Sequence, residues 1–205
     1  MLTQLKENYI FAVIRGRDEE DAKNIARYAI KGGIKNIEVT FSTPNAETVI
    51  SDLKSEFSED STVVIGAGTV MDSDLALKAI KSGADFLVSP HYDADIQKLS
   101  KLTEVEYFPG CGTVTEIVTA MNGGAKIIKV FPGGVFGPSF IKDVHGPIPD
   151  VNLMPSGGVT LDNIADWKLK GACAVGVGSA LSAEVKENGY DSVTDLARKF
   201  VSALK

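Results

Sequence analysis

The chain has 205 residues, 44% of them hydrophobic and 23% charged, which is the balance of an ordinary globular protein with room for a substantial core. A formal charge of −6 argues against a nucleic-acid binder, and neither a signal peptide nor an apolar stretch of membrane-spanning length is visible. Cys111 and Cys173 lack CxxC or metal-type spacing and His91 and His145 are isolated, so the expectation is a cytoplasmic protein with reduced thiols, no metal and no cofactor.

Taken in chain order, Leu2–Asn8 reads as a short helix, followed by a β-like run at Ile10–Arg15 and a helix at Asp18–Lys31. The alternation continues with a strand at Asn36–Phe41, a helix at Pro44–Phe57, a strand at Thr62–Thr69 and a helix at Asp72–Ser82. Further strands follow at Phe86–Pro90, Glu106–Gly110, Lys126–Phe131, Asn152–Gly157 and Ala174–Ser179. Helices at Asp93–Leu102, Thr115–Met121 and Leu161–Lys170 separate most of them, and Ser192–Leu204 closes the series. Asp18 and Asp72 are candidate N-caps, and Gly32, Gly83, Gly123 and Gly171 stand just past helix ends.

The eight strands begin about 20–26 residues apart, the length of one βα unit. Strands alternating with helices imply a parallel sheet with right-handed crossovers. Eight units in this length predict a small (β/α)₈ barrel, a TIM barrel, as a single domain over residues 1–205. An open doubly wound sheet is the competitor. It would show GxGxxG after the first strand, where this chain has Arg15-Gly16-Arg17-Asp18.

Barrels draw their catalytic groups from the C-terminal ends of different strands. Three apolar strands carry one ionisable residue near that end: Arg15 on the first, Glu38 on the second and Lys129 on the sixth. Burying an ammonium without a partner costs several kcal/mol or drives it to shed its proton. The neutral amine that results is a nucleophile able to form a Schiff base with a carbonyl. Glu38 suits a general acid/base and Arg15 suits a bidentate grip on a substrate carboxylate. The same three side chains could instead form a buried ion network, but such networks stabilise poorly because desolvation offsets the Coulomb gain. Thr69 follows Gly66-Ala67-Gly68, where a ligand could approach the backbone closely.

Strand seven ends Ser156-Gly157-Gly158 and strand eight ends Gly178-Ser179. Consecutive turns of this kind offer backbone N–H groups to a phosphate. Neither turn contains Lys or Arg, so the backbone is expected to do most of the binding. His91, after Pro90, lies near the site but reads as polar surface; His145 reads as a turn residue and Trp167 as packing on an outer helix.

Six segments then carry a resemblance: Ile37-Glu38-Val39-Thr40, Gly66-Ala67-Gly68-Thr69-Val70, Val88-Ser89-Pro90, Ile128-Lys129-Val130-Phe131-Pro132, Ser156-Gly157-Gly158 and Gly178-Ser179. In this order, over nearly the whole chain, they resemble the 2-keto-3-deoxy-6-phosphogluconate (KDPG) / 4-hydroxy-2-oxoglutarate (KHG) aldolase family. The resemblance implies a class I, metal-independent aldolase on a (β/α)₈ barrel that assembles as a homotrimer. It makes Lys129 the Schiff-base lysine and Glu38 the acid/base, with Thr69, Pro90 and Phe131 around the pyruvyl half of a 2-keto-4-hydroxy acid. It assigns the phosphate to Ser156, Gly157, Gly158, Gly178 and Ser179. The chain departs from the pattern at Ser42, where many members carry an arginine for the substrate carboxylate; Arg15 is the expected replacement. Two other readings are a sugar-phosphate epimerase or thiamin-phosphate-type synthase on a similar barrel, and a non-catalytic phosphosugar sensor.

Overall fold

In a computed structural model, residues 1–204 are described. The elements run α1 (Leu2–Asn8), β1 (Ile10–Ile14), α2 (Glu19–Lys31), β2 (Asn36–Thr40), α3 (Ala46–Glu56), β3 (Val64–Gly68) and α4 (Ser73–Lys81). They continue with β4 (Phe86–Val88), α5 (Ala94–Thr103), β5 (Glu106–Phe108), β6 (Gly110–Cys111), α6 (Val114–Gly123) and β7 (Ile128–Val130). The chain then forms α7 (Gly133–Phe136), α8 (Pro138–His145), β8 (Leu153–Pro155), α9 (Ile164–Leu169), β9 (Val175–Val177), α10 (Ser179–Ser182), α11 (Val185–Asn188) and α12 (Asp191–Ser202).

All strand pairs are parallel. One sheet has the order β5-β4-β3-β2-β1-β9 and a second has the order β6-β7-β8. Pro109 separates β5 from β6, since a residue without an N–H interrupts a ladder. The fifth predicted strand is therefore two short pieces. Its carbonyl still accepts from Lys129 N at 2.8 Å. On the other side Ser156 bridges Gly176 and Cys173 N donates to Leu153 O at 2.9 Å, so the two sheets are joined there as well.

Parallel strands covered on both faces are buried along their whole length, as β1 and β2 show: β1 is apolar throughout, while β2 carries Asn36, Glu38 and Thr40 among its buried residues. Their alternation sorts the side chains into two clusters. Ile128 and Val130 pack outward in the large cluster shared with the helices, together with Ile25, Ile50 and Trp167. Phe11, Phe86, Phe108, Ile127 and Met154 form an inner cluster with Leu5 from α1. The Phe11 and Phe86 rings meet edge to face at 5.3 Å, and Phe86 stacks on Phe108 at 5.6 Å. Residues two further along these strands share the inner face, and this brings Lys129 (two past Ile127) inside above the aromatic plug.

Caps fall where the sequence places them: Asp18 accepts from Asp21 N and Asp72 from Leu75 N, each at 2.8 Å. Two helices, α7 and α8, occupy a stretch that reads as loop because Pro132, Gly133, Gly134, Gly137 and Pro138 punctuate it. Burial of Ile141 and Val144 holds α8 in place. His145 ends that helix rather than lying in a turn, and its Nε2 sits 2.9 Å from Val151 O. Trp167 is 1% exposed, so its packing role stands. No helix among the described residues is long and apolar enough to cross a membrane.

Candidate active site

Strand β7 carries Lys129 inward, in register with Gly110 on one side and Met154 on the other. Strand β2 carries Glu38, in register with Val13 and Gly66. The two side chains meet: Lys129 Nζ lies 3.6 Å from Glu38 Oε1, with side-chain exposures of 4% and 1%. Neither carboxylate oxygen has a hydrogen-bond partner among the described residues. A buried carboxylate left with one ammonium slightly beyond hydrogen-bond range is a costly arrangement for stability alone. It leaves both groups free to engage a reacting atom.

Space for Glu38 comes from a missing side chain. A Cβ on Gly68 would run into the Glu38 carboxylate, at 2.7 Å from Cγ and in contact with Oε1. Gly68 thus lies in strand β3, inside the expected Thr62–Thr69 run, and makes room for the acid. A Gly-x-Gly at strand spacing was the available signal for an inner face left empty opposite a bulky group. Thr69 follows with φ +55, an uncommon backbone for a β-branched residue, held by Phe41 N to Gly68 O at 2.8 Å and Val70 N to Val88 O at 3.1 Å. Thr40 is fully buried and donates to Ile14 O at 2.8 Å, tying the tip of β2 to β1, and its hydroxyl lies 2.7 Å from that of Ser42.

The Phe131 ring sits 5.3 Å from Lys129 Nζ, so an aromatic face covers the amine. Pro90 stands at the end of β4, where the buried Ser89 and Tyr107 hydroxyls lie 2.5 Å apart and both reach the His91 carbonyl. Burial pushes the Tyr107 hydroxyl above its ordinary range, so it stays a donor that stiffens this turn. Sequence reasoning passed over that pair. His91 is not simply polar surface either: its Nδ1 is buried without a partner.

Beside this pair is a cavity of about 90 Å³ lined by Ser156, Gly157, Gly158, Gly178 and Ser179, together with Phe131 and Arg15. Gly158 has φ +77, and its Cα hydrogens face Gly134, where a Cβ would stand only 2.5 Å from Gly134 Cα. Gly133 N donates to Ser156 O at 2.8 Å and Ser156 N to Val130 O at 3.0 Å, which couples the lysine strand to the anion turn. A side-chain cation stands beside the backbone groups of these turns. Arg15, from the end of β1, brings its Nη1 within 3.3 Å of the place where a Gly178 Cβ would be. It has no ion-pair partner among the described residues, and it lines the glycine pocket. Among those residues no group of three or more His, Cys, Asp or Glu is arranged to hold a metal ion.

A buried amine facing a free carboxylate, with a glycine-walled anion pocket alongside on a parallel α/β scaffold, is the equipment of an aldolase that works through an amine. Comparison with known proteins agrees. The family model described as KDPG and KHG aldolase matches residues 1–196. The 2-dehydro-3-deoxy-6-phosphogalactonate aldolase of Escherichia coli is 30% identical over 173 residues, 84% of this chain and 83% of that one. The 2-dehydro-3-deoxy-phosphogluconate aldolase of Pseudomonas aeruginosa is 35% identical over 166 residues, 80% of this chain and 74% of that one. A KDPG aldolase structure from Legionella pneumophila, with pyruvate captured as a covalent carbinolamine, superposes with a TM-score of 0.87 at 27% identity, covering 96% of each chain. The chain belongs to the KDPG and KHG aldolase family.

Proposed function

We propose that the protein is a class I aldolase cleaving KDPG to pyruvate and glyceraldehyde 3-phosphate. 4-Hydroxy-2-oxoglutarate, giving pyruvate and glyoxylate, is a second substrate of the same kind. The observation that carries this reading is the buried Lys129–Glu38 pair, 3.6 Å apart.

The neutral amine attacks the C2 ketone, and Glu38 as the acid gives its proton to the carbinolamine hydroxyl, which leaves as water and yields an iminium with Glu38 now a carboxylate. Glu38, as carboxylate, removes the C4 hydroxyl proton. The C3–C4 electron pair moves into the iminium, forming an enamine and releasing the aldehyde. Protonation at C3 and attack by water then return pyruvate and the free amine. Thr69, Pro90 and Phe131 enclose the pyruvyl half, and Ser156, Gly157, Gly158, Gly178 and Ser179 take the phosphate. Arg15 serves the phosphate end rather than the carboxylate beside Lys129, because it lines the glycine pocket.

The scaffold is proposed as one domain over residues 1–205, closed as a (β/α)₈ barrel. The Ser156–Gly176 bridge and the hydrogen bond from Gly110 N to His91 O at 3.2 Å support closure across both sheet junctions. A cytoplasmic homotrimer without metal or cofactor completes the proposal. Borohydride reduction in the presence of pyruvate, followed by peptide mass spectrometry, tests the chemistry. A pyruvyl adduct on the Lys129 peptide is expected. A folded protein with no adduct would overturn the aldolase reading in favour of a phosphosugar sensor or a different barrel enzyme.

A further inference from the structure

Arg15 also lines a second cavity, of about 220 Å³. Arg15, Arg17, Asp21, Ser182 and Lys186 supply its polar wall, and Ile25 and Val185 its apolar one. Arg15 borders both cavities, so the two adjoin at that residue. The aldolase chemistry leaves this second space unused.

Its charge is unbalanced. Asp21 is the only carboxylate on the wall, and it is fully engaged: Arg17 donates from N at 2.9 Å, from Nε at 3.1 Å and from Nη2 at 2.9 Å, and Tyr190 Oη donates at 2.7 Å. These contacts neutralise the carboxylate and fix the Arg17 fork, leaving its Nη1 without a partner among the described residues. Arg15 and Lys186 have no carboxylate within ion-pair distance among those residues, and Glu184 and Glu187, which flank Lys186 in sequence, do not line the cavity. The wall therefore carries a net charge of about +2 in a chain whose formal charge is −6. The Ser182 hydroxyl adds a neutral donor.

We infer that this cavity is a second anion subsite, adjacent to the substrate's phosphate pocket and specific for phosphate-type oxyanions. Arg17 and Lys186 hold the anion, Ser182 donates to it, and Arg15 is shared between the two pockets. Convergent cations on an otherwise acidic surface raise the local concentration of a dianion, so the subsite gathers phosphorylated substrate before it enters the glycine pocket. Inorganic phosphate, the common fragment of such substrates, occupies the same place.

The test is a titration of the wild-type chain with inorganic phosphate, followed by TROSY spectra of the backbone amides. Two groups of amides are expected to shift with separate half-saturation points: Gly157, Gly158 and Gly178 in one, Arg17, Ser182 and Lys186 in the other. Lys186→Glu, at an exposed position outside the aldolase site, should weaken the second group's binding by roughly tenfold and leave the glycine group in place. It should also lower kcat/KM for phosphorylated substrate at low salt without changing pyruvate trapping at Lys129. A second group that stays silent, or that follows the glycine group and ignores Lys186→Glu, would overturn the subsite. Trapping on Lys129 is unaffected by either result, so failure here is distinguishable from failure of the aldolase reading.

Discussion

At the scale of single residues the proposed chemistry rests on Lys129 and on the space that Gly68 vacates for Glu38. Lys129→Ala is expected to abolish turnover and borohydride trapping while near-native circular dichroism persists. It also strands a buried carboxylate, so the variant should be about 3–5 kcal/mol less stable by urea unfolding, and adding Glu38→Gln should recover part of that loss. Glu38→Gln alone should lower kcat by about 10²–10⁴-fold, measured in a coupled pyruvate assay, because general acid–base catalysis contributes on that scale. Gly68→Ala places a methyl against the Glu38 carboxylate. A displaced acid should reduce kcat by roughly 10²-fold, and overpacking should cost about 1–3 kcal/mol. The thiols give a different residue-scale expectation. Burial pushes Cys111 and Cys173 up to about 12. The 2 cysteines should then resist alkylation at pH 8 in the folded protein and react promptly in urea.

Among the elements, the strand ends line the proposed site. The β8 and β9 turns with Arg15 line the glycine-walled cavity proposed to take the phosphate, and β7 is tied to the first of them by Ser156 N to Val130 O at 3.0 Å. Arg15→Ala should raise KM for KDPG by about 10–100-fold, the worth of one hydrogen-bonded charge. KM for 4-hydroxy-2-oxoglutarate, which lacks a phosphate, should change little; equal losses on both substrates would instead place Arg15 at the carboxylate. Most of the pattern that locates these turns is readable in the chain, because glycines after an apolar strand are local signals. The partnership of Arg15 with Gly178 is not, since it joins residues at opposite ends of the sequence. For the same reason α7 and α8 escape notice: their punctuation reads as loop, and only packing of Ile141 and Val144 overrules it.

For the whole molecule, α2 and the last helix, α12, are clamped together. Asp21 on α2 accepts from Arg17 and from Tyr190 at the start of α12, and the Arg17 hydrogen bonds hold its carboxyl well below the usual carboxylate range. A carboxyl depressed in the folded state contributes stability that is present above its unfolded value, about 4, and is lost as pH falls through the folded value. Wild type should thus lose urea resistance in acid. Asp21→Asn should be less stable at pH 7, and its deficit should shrink below about pH 4. A constant deficit across that range would assign the loss to packing rather than to ionisation.

The sequence by itself determined the parallel α/β plan, the order of most strands and helices, the family, and that Lys129 and Glu38 are ionisable residues set in buried strands. These depend on periodicity, on caps and on ionisable residues out of place in apolar runs, all of which act over a few neighbouring positions. Only the tertiary structure decided the distance between amine and acid, the break at Pro109, the room that Gly68 leaves and the placement of Arg15 beside the glycine turns. Those features come from strands far apart in the chain meeting around one interior, where register and close packing, rather than local preference, set which side chains face each other.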